Sequence, residues 1–165
     1  MLNRKTGICI AVGLFFVLVT LLAHGQDYGR SVARPSAVEY LFPEQVTVPA
    51  GKASPVALHF RIATGLHINS HAPREAFLFP TVLSIPEGSG GRLEQASYPA
   101  GTDFVLPVDP KTKLSVYTGE FIIQARIVAA AGDHMVEAKL RFQACDQNAC
   151  MPPKTITLPI YVFVK

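Results

Sequence analysis

Two cysteines stand close together near the end of the chain. Cys145 and Cys150 are separated by four residues, directly after a stretch in which apolar and polar residues alternate. A disulfide needs Cα atoms about 4.4–6.8 Å apart, whereas five fully extended steps would span roughly 17 Å. The chain must therefore double back between the two thiols, and Asp146 and Asn148 favour this because both residue types occur in turns.

The chemistry that such a pair can perform is thiol–disulfide exchange. Exchange needs an accessible thiolate and a second thiol that resolves the mixed disulfide. A bridge over so short a loop stabilises a fold by only about 2 kcal/mol, against about 4.5 kcal/mol for a loop of roughly 80 residues. This comparison favours a redox-active pair over a purely structural disulfide. The spacing nevertheless also fits a structural disulfide at the tip of a hairpin. Both interpretations stay open on the spacing alone.

A second polar stretch carries His67, Asn69 and His71. These side chains are candidate neighbours of the cysteine turn, where they would form a polar floor. A four-ligand metal site made with Cys145 and Cys150 is an alternative, but two histidines four apart on a strand do not aim their rings together as they would on a helix. We therefore predict no metal, and alternation along the strand predicts that His67 faces solvent.

Other classes of function find no support in the sequence. There is no G-x-S-x-G motif, no glycine-rich phosphate loop and no H-E-x-x-H motif. The net charge is +3 and no basic stripe stands out, so nucleic acid is not an expected partner. No cofactor is expected either.

The N-terminal segment has the pattern of an export signal. Arg4 and Lys5 precede an uncharged apolar run over residues 7–23, which small residues follow. The run is short for a membrane span, so we predict a signal peptide over residues 1–25. A polar, flexible leader over residues 26–37 is expected to follow it. Two cysteines remain once residues 1–25 are removed, and an even number of cysteines in an exported chain suits an oxidising compartment.

The rest of the chain has the period of two that is typical of strands. The clearest alternation covers residues 136–142, and we predict about eight short strands and no helix. Residues 77–85 are predicted as a strand interrupted by Pro80, and residues 99–113 as a long loop without regular structure. The expected fold over residues 38–165 is all-β, a two-sheet antiparallel immunoglobulin-like sandwich.

The cysteine motif resembles that of a known family. Residues 142–146 (FQACD) and 150–153 (CMPP) look like the signature of the N-terminal periplasmic domain of the thiol:disulfide interchange protein DsbD. Shorter upstream matches lie at residues 65–70, 77–81, 98–99 and 116–119. The resemblance covers essentially the whole predicted domain.

The resemblance implies roles for individual residues. The second cysteine of the family's pair forms the mixed disulfide with partners, which carries over to Cys150 and leaves Cys145 as the resolving thiol. A cap loop bearing an aromatic residue covers the family's pair. The matching loop here runs over residues 103–113, where Phe104 is the nearest aromatic, although the position near Pro110 lacks one. Asp146, beside the pair, is a further candidate neighbour.

The resemblance also implies a setting and partners. It predicts a bacterial periplasmic domain that passes reducing equivalents between a thioredoxin-like or membrane-bound electron donor and oxidised periplasmic proteins. Full-length family members continue into membrane and thioredoxin-like domains, and this sequence ends at Lys165. We therefore expect a protein-disulfide reductase that acts with a separate electron donor, and no membrane span in the mature chain. The alternative is a non-catalytic secreted interaction module with a structural disulfide.

Overall fold

Alternating apolar and polar residues account for most of the strands in this protein. The computed structural model describes residues 36–42, 45–107 and 109–164, and within these ranges it contains strands and no helix. The all-β class is thus confirmed, and nothing in the described ranges is a helix that could cross a membrane. The twelve strands are β1 Val38–Leu41, β2 Gln45–Val48, β3 Ser54–Ile62, β4 His67–Asn69, β5 Val82–Ser84, β6 Gly91–Ser97, β7 Thr102–Leu106, β8 Asp109–Tyr117, β9 Glu120–Ala129, β10 His134–Phe142, β11 Ala144–Cys145 and β12 Lys154–Val164.

The strands form three four-stranded sheets. The first has the order β1-β3-β9-β6 and is antiparallel throughout. The second has the order β2-β12-β10-β5, in which β2 runs parallel to β12. The third has the order β11-β4-β8-β7 and carries the cysteines. The predicted immunoglobulin-like sandwich is confirmed, with the third sheet as an addition that the sequence pattern did not separate.

One hydrophobic core joins the sheets. On β9 and β10 every second residue is buried, as a period of two requires when one face of a strand packs inward. Phe60 and Ile123 from the first sheet share this core with Leu140 and Ile160 from the second, and none of the four side chains is exposed. Ile68 on β4 belongs to the same core, so the third sheet is anchored to the sandwich.

The predicted long loop over residues 99–113 is wrong. Most of it forms the β-hairpin of β7 and β8, in which Thr102 pairs with Val116 and Phe104 with Leu114. The apolar residues of β7, Phe104, Val105 and Leu106, are consecutive and none is fully buried, so the strand shows no clean alternation. The register shifts between Val105 and Leu106, next to Pro107.

The predicted strand over residues 77–85 is only partly correct. Strand β5 begins at Val82, after Pro80, while residues 71–80 run as bends and turns. Phe77 is 76% exposed, so the apolar residues before Pro80 do not enter the core. Thr81 fixes the end of this segment, because its hydroxyl donates to the carbonyl of Asn69 at 2.6 Å.

Part of the sequence interpretation lies beyond the described ranges. The predicted signal peptide, residues 1–25, falls outside the described residues, as does the predicted leader up to residue 35.

Two adjacent isoleucines on β9 test the orientation of the core face. Ile123 is fully buried, whereas Ile122 is 40% exposed. We expect Ile123→Ala to lower the free energy of unfolding by about 2–5 kcal/mol, because it removes buried methyl groups and leaves a cavity. Ile122→Ala, the matched control, should cost less than about 1 kcal/mol. Urea unfolding followed by circular dichroism measures both, and equal losses would contradict the assigned face.

Candidate redox site

The two cysteines lie on a tight hairpin at the edge of the third sheet. Cys145 ends β11 and faces Cys150 across an isolated antiparallel bridge. The N–H of Met151 donates to the carbonyl of Ala144 at 2.8 Å, and the N–H of Asp146 donates to the carbonyl of Ala149 at 3.0 Å. The chain therefore doubles back as its turn residues predict, and the Cα atoms of the bonded cysteines are 3.9 Å apart, which is closer than is usual for a disulfide.

The carboxylate of Asp146 holds the turn. Its Oδ1 accepts hydrogen bonds from the backbone N–H groups of Asn148 at 2.7 Å and Ala149 at 2.8 Å. These two bonds hold the pKa of Asp146 below its ordinary value, and the nearby His67 adds a smaller effect in the same direction. Asp146 is therefore ionised at neutral pH, which suits a turn-stabilising group and not a proton carrier.

The two sulfur-bearing residues differ sharply in exposure. Cys145 is 2% exposed, because β11 pairs with β4 and its side chain lies in the interior of the site. Cys150 is exposed on the returning arm of the hairpin. Cys150 is therefore the more accessible of the two cysteines.

A cavity of about 420 Å³ opens beside the disulfide. Its lining is mainly apolar, with three carboxylates and no lysine or arginine. Most of these residues come from the segment over residues 71–80, from the hairpin of β7 and β8, and from the cysteine turn. They are His67, Glu75, Phe77, Leu78, Leu106, Asp109, Thr112, Leu114, Cys145, Asp146, Asn148, Ala149 and Cys150.

His67 lies inside the site, so the prediction that it faces solvent is wrong. It is the residue of β4 that pairs directly with Cys145, and it is 2% exposed. Strand β4 is buried along its whole length, and β11 and β8 pair with it on either side. The ring of Phe104 lies against the imidazole, with the ring centroids 4.1 Å apart. Burial lowers the pKa of His67, and the charge of Asp146 offsets part of that effect.

Phe104 contacts the redox site at the ring of His67. It stands on β7, within the region that the family resemblance assigns to a cap loop. Phe104 covers the imidazole, while Leu106 and Thr112 of the same hairpin line the cavity beside the disulfide. The wall next to the cysteines is thus a paired hairpin instead of an irregular loop.

Asn69 is linked by hydrogen bonds to the cysteine hairpin. Its side-chain amide donates to the Oε1 of Gln143 and to the carbonyl of Phe79, both at 3.1 Å. The amide of Gln143 in turn donates to the carbonyl of Met151 at 3.2 Å. Gln143 was not among the predicted site residues. The signal that could have found it is its place next to β11, where an amide can bridge the two arms of a hairpin.

His71 stands apart from the other predicted neighbours. Its ring stacks on Tyr98 with centroids 3.7 Å apart, and its Nδ1 lies 2.9 Å from the carbonyl oxygen of Thr81. It does not line the cavity beside the disulfide. Across the described ranges, no group of three or more histidine, cysteine or acidic side chains is placed to hold a metal ion.

An ion-pair cluster fixes the two outer walls of the cavity to each other. Arg74 precedes Phe77 and donates to the carboxylate of Asp103 on β7 and to the carbonyl of Lys113 on β8. The ammonium of Lys113 also contacts Asp103, at 3.3 Å. Phe77 and Leu78 were predicted as part of a strand, and the structure instead places them in the bends and turns before Pro80, where they line the cavity.

These features define an immunoglobulin-like all-β domain that carries a half-exposed disulfide at the edge of its third sheet. The model of the family described as the thiol:disulfide interchange protein DsbD, N-terminal, matches residues 37–160. The chain therefore belongs to this family, whose chemistry is thiol–disulfide exchange.

Two solved structures that contain a DsbD N-terminal domain are similar to this chain. The reduced DsbD N-terminal domain of Neisseria meningitidis is 21% identical, with 68% of this chain and 80% of that chain covered and a TM-score of 0.46. The complex between the DsbD N-terminal and PilB N-terminal domains of the same organism is also 21% identical, covering 67% of this chain and 77% of that chain at a TM-score of 0.43. No curated protein sequence matches significantly.

The unequal exposure of the two cysteines predicts unequal reactivity. In the reduced protein, we expect iodoacetamide to modify Cys150 faster than Cys145 by about an order of magnitude or more, because reagent reaches only the exposed thiol. Peptide mass spectrometry after timed quenching measures both rates. In denaturant the two rates should converge. Equal rates in the folded protein would mean that reduction opens the hairpin.

Proposed function

We propose that this protein passes reducing equivalents between protein partners through the Cys145–Cys150 pair. Cys150 is the thiol that attacks and links to partners, and Cys145 is the thiol that resolves the link. The observation that carries this assignment is the contrast between the exposed Cys150 and the buried Cys145 beside a single cavity. The family resemblance assigns the same two roles.

The exchange balances without any further reactant. The thiolate of Cys150 attacks one sulfur of a partner disulfide, and the other partner sulfur leaves as a thiolate. Cys145 then attacks the sulfur of Cys150, the bond between Cys150 and the partner breaks, and the partner's second sulfur leaves. Two electrons pass to the partner disulfide, and the domain ends with its own disulfide formed. No cofactor is needed, because sulfur carries the electrons throughout.

The hairpin keeps both thiols within reach during this cycle. The backbone hydrogen bonds that close it, between Met151 and Ala144 and between Asp146 and Ala149, do not involve sulfur. The support from Gln143 and Asn69 is equally independent of the oxidation state. The hairpin is therefore expected to survive reduction, so that Cys145 remains opposite Cys150 in the mixed disulfide.

The lining of the cavity indicates which partners fit. Phe77, Leu78 and Leu106 offer apolar contact, and the carboxylates of Glu75 and Asp109 give the rim a negative charge. A partner cysteine set among apolar and basic groups would be complementary to this surface. We propose that the partners are a thioredoxin-like or membrane-bound electron donor and oxidised periplasmic proteins, and that the chain is exported to the bacterial periplasm.

Single cysteine variants test the assignment of roles. We expect Cys145→Ser to accumulate mixed disulfides with proteins of a periplasmic extract, because the resolving thiol is missing. Cys150→Ser, the matched control, should trap none, since its remaining thiol is buried. Non-reducing electrophoresis before and after dithiothreitol measures the trapped species. Trapping by neither variant, or only by Cys150→Ser, would contradict the proposal.

The reduction potential of the Cys145–Cys150 pair distinguishes a redox-active disulfide from a structural one. We expect the wild-type pair to equilibrate with glutathione at a potential above about −300 mV, because structural disulfides fall below that value and exchanging ones above it. The fraction of reduced protein at each glutathione ratio gives the potential. A lower value would favour a non-catalytic interaction module with a structural disulfide.

A further inference from the structure

His67 lies beside Cys145 in the redox site. It is the direct cross-strand partner of Cys145 in the antiparallel pair of β4 and β11. Directly paired residues project from the same face of a sheet, with Cβ atoms about 4.5–5.5 Å apart. Both side chains line the same cavity. The imidazole and the resolving sulfur are therefore neighbours on one face.

The imidazole has one nitrogen without a partner. The Nε2 of His67 is buried and has no hydrogen-bond partner within the described ranges. An unpaired buried polar atom costs about 1–3 kcal/mol, so such an atom in a folded site calls for a reason. In the disulfide, the sulfur of Cys145 carries no hydrogen to offer. Once the pair is reduced, the Cys145 thiol becomes a donor on the same face as this nitrogen.

The surrounding charges leave the imidazole available as a base. The charged groups around it are Asp146 on the turn and, further along the cavity, Glu75 and Asp109. Burial outweighs Asp146 and lowers the pKa of His67, so the ring is neutral at pH 7 and can accept a proton. The aromatic ring of Phe104 covers the imidazole.

Cys145 needs such a group because it is buried. Burial disfavours the thiolate, and only the thiolate is an effective nucleophile. Water has little access to a residue that is 2% exposed. Asp146 is a weak base, because the two backbone hydrogen bonds to its Oδ1 lower its pKa.

We propose that Nε2 of His67 takes the proton from the Cys145 thiol while Cys145 resolves the mixed disulfide. This inference rests on the proposed exchange function. In the step, the S–H bond of Cys145 breaks and its proton goes to Nε2, while its sulfur attacks the sulfur of Cys150. The bond between Cys150 and the partner breaks, and the partner sulfur leaves with the electron pair. In reverse, the imidazolium returns the proton to the departing Cys145 sulfur.

A chromogenic disulfide tests this step without a natural partner. Reduced protein is mixed with 5,5′-dithiobis(2-nitrobenzoate) in a stopped-flow instrument, and release of thionitrobenzoate is followed over time. The first equivalent reports the attack by Cys150, and the second reports the resolution by Cys145. The variants are His67→Phe, which removes the base, and His67→Gln, which keeps a hydrogen-bonding side chain that cannot carry the proton. His71→Phe is the matched control, because His71 does not line the cavity.

The proposal predicts an effect on one phase only. At pH 7, His67→Phe and His67→Gln should slow the second phase by about tenfold or more, while the first phase stays within about twofold of wild type. The wild-type second phase should rise with pH through a pKa below that of a free histidine, and this inflection should be absent in both variants. His71→Phe should match wild type in both phases.

Three outcomes would overturn the proposal. One is an unchanged second phase in His67→Phe, and another is an equal slowing of both phases, which would indicate a packing role. The third is full recovery in His67→Gln, which would indicate hydrogen bonding without proton transfer. Release of only one equivalent of thionitrobenzoate by the wild-type protein would instead contradict the proposed exchange function, and the proposed role of His67 would fall with it.

A measurement on the wild-type protein covers the case in which the variants fold poorly. Nitrogen-15 NMR of the His67 ring follows Nε2 in the oxidised and reduced forms. We expect its resonance and its titration to change on reduction, because the Cys145 thiol then bonds to it. Identical behaviour in the two forms would contradict the proposal.

Discussion

The pairing of β11 with β4 is the constraint on which the site depends. Strand β11 has only two residues, yet it places Cys145 opposite His67 and Ala144 opposite Ile68. Ile68 and Ala144 belong to the core, so this short pair is fixed to the sandwich by burial as well as by hydrogen bonds. A shift of one residue would turn Cys145 to the other face, because side chains alternate along a strand.

Burial makes the two cysteines unequal, although they face each other across one hairpin. The turn carries Cys150 out to solvent, while the sheet keeps Cys145 inside. The carboxylate of Asp146 stabilises the turn between them. Hydrogen bonds from Asn69 to Gln143 and from Gln143 to Met151 connect the two arms of the hairpin. The asymmetry thus follows the backbone arrangement, whose hydrogen bonds across the hairpin do not involve sulfur.

The cavity beside the disulfide is assembled from segments that are distant in the sequence. Arg74 joins the segment over residues 71–80 to the hairpin of β7 and β8 through Asp103 and the carbonyl of Lys113. These groups are about half exposed, so their contribution to the stability of the fold is small. Their effect is geometric: they keep apolar walls such as Phe77 and Leu106 on the same side of the cysteine turn.

The sequence by itself determined the all-β class, the turn between Cys145 and Cys150 and the family, because alternation, turn residues and a short motif are local properties. It did not determine that His67 is buried, that residues 99–113 form a hairpin or that residues 77–80 leave the sheet. Those outcomes depend on which strands lie on either side of a segment. Alternation alone predicts that β4 has an exposed face. In the structure β4 lies between β8 and β11, Phe104 covers His67, and the whole strand is buried. Burial is set by neighbours that are remote in the chain, so only the tertiary structure decided which polar groups meet the disulfide.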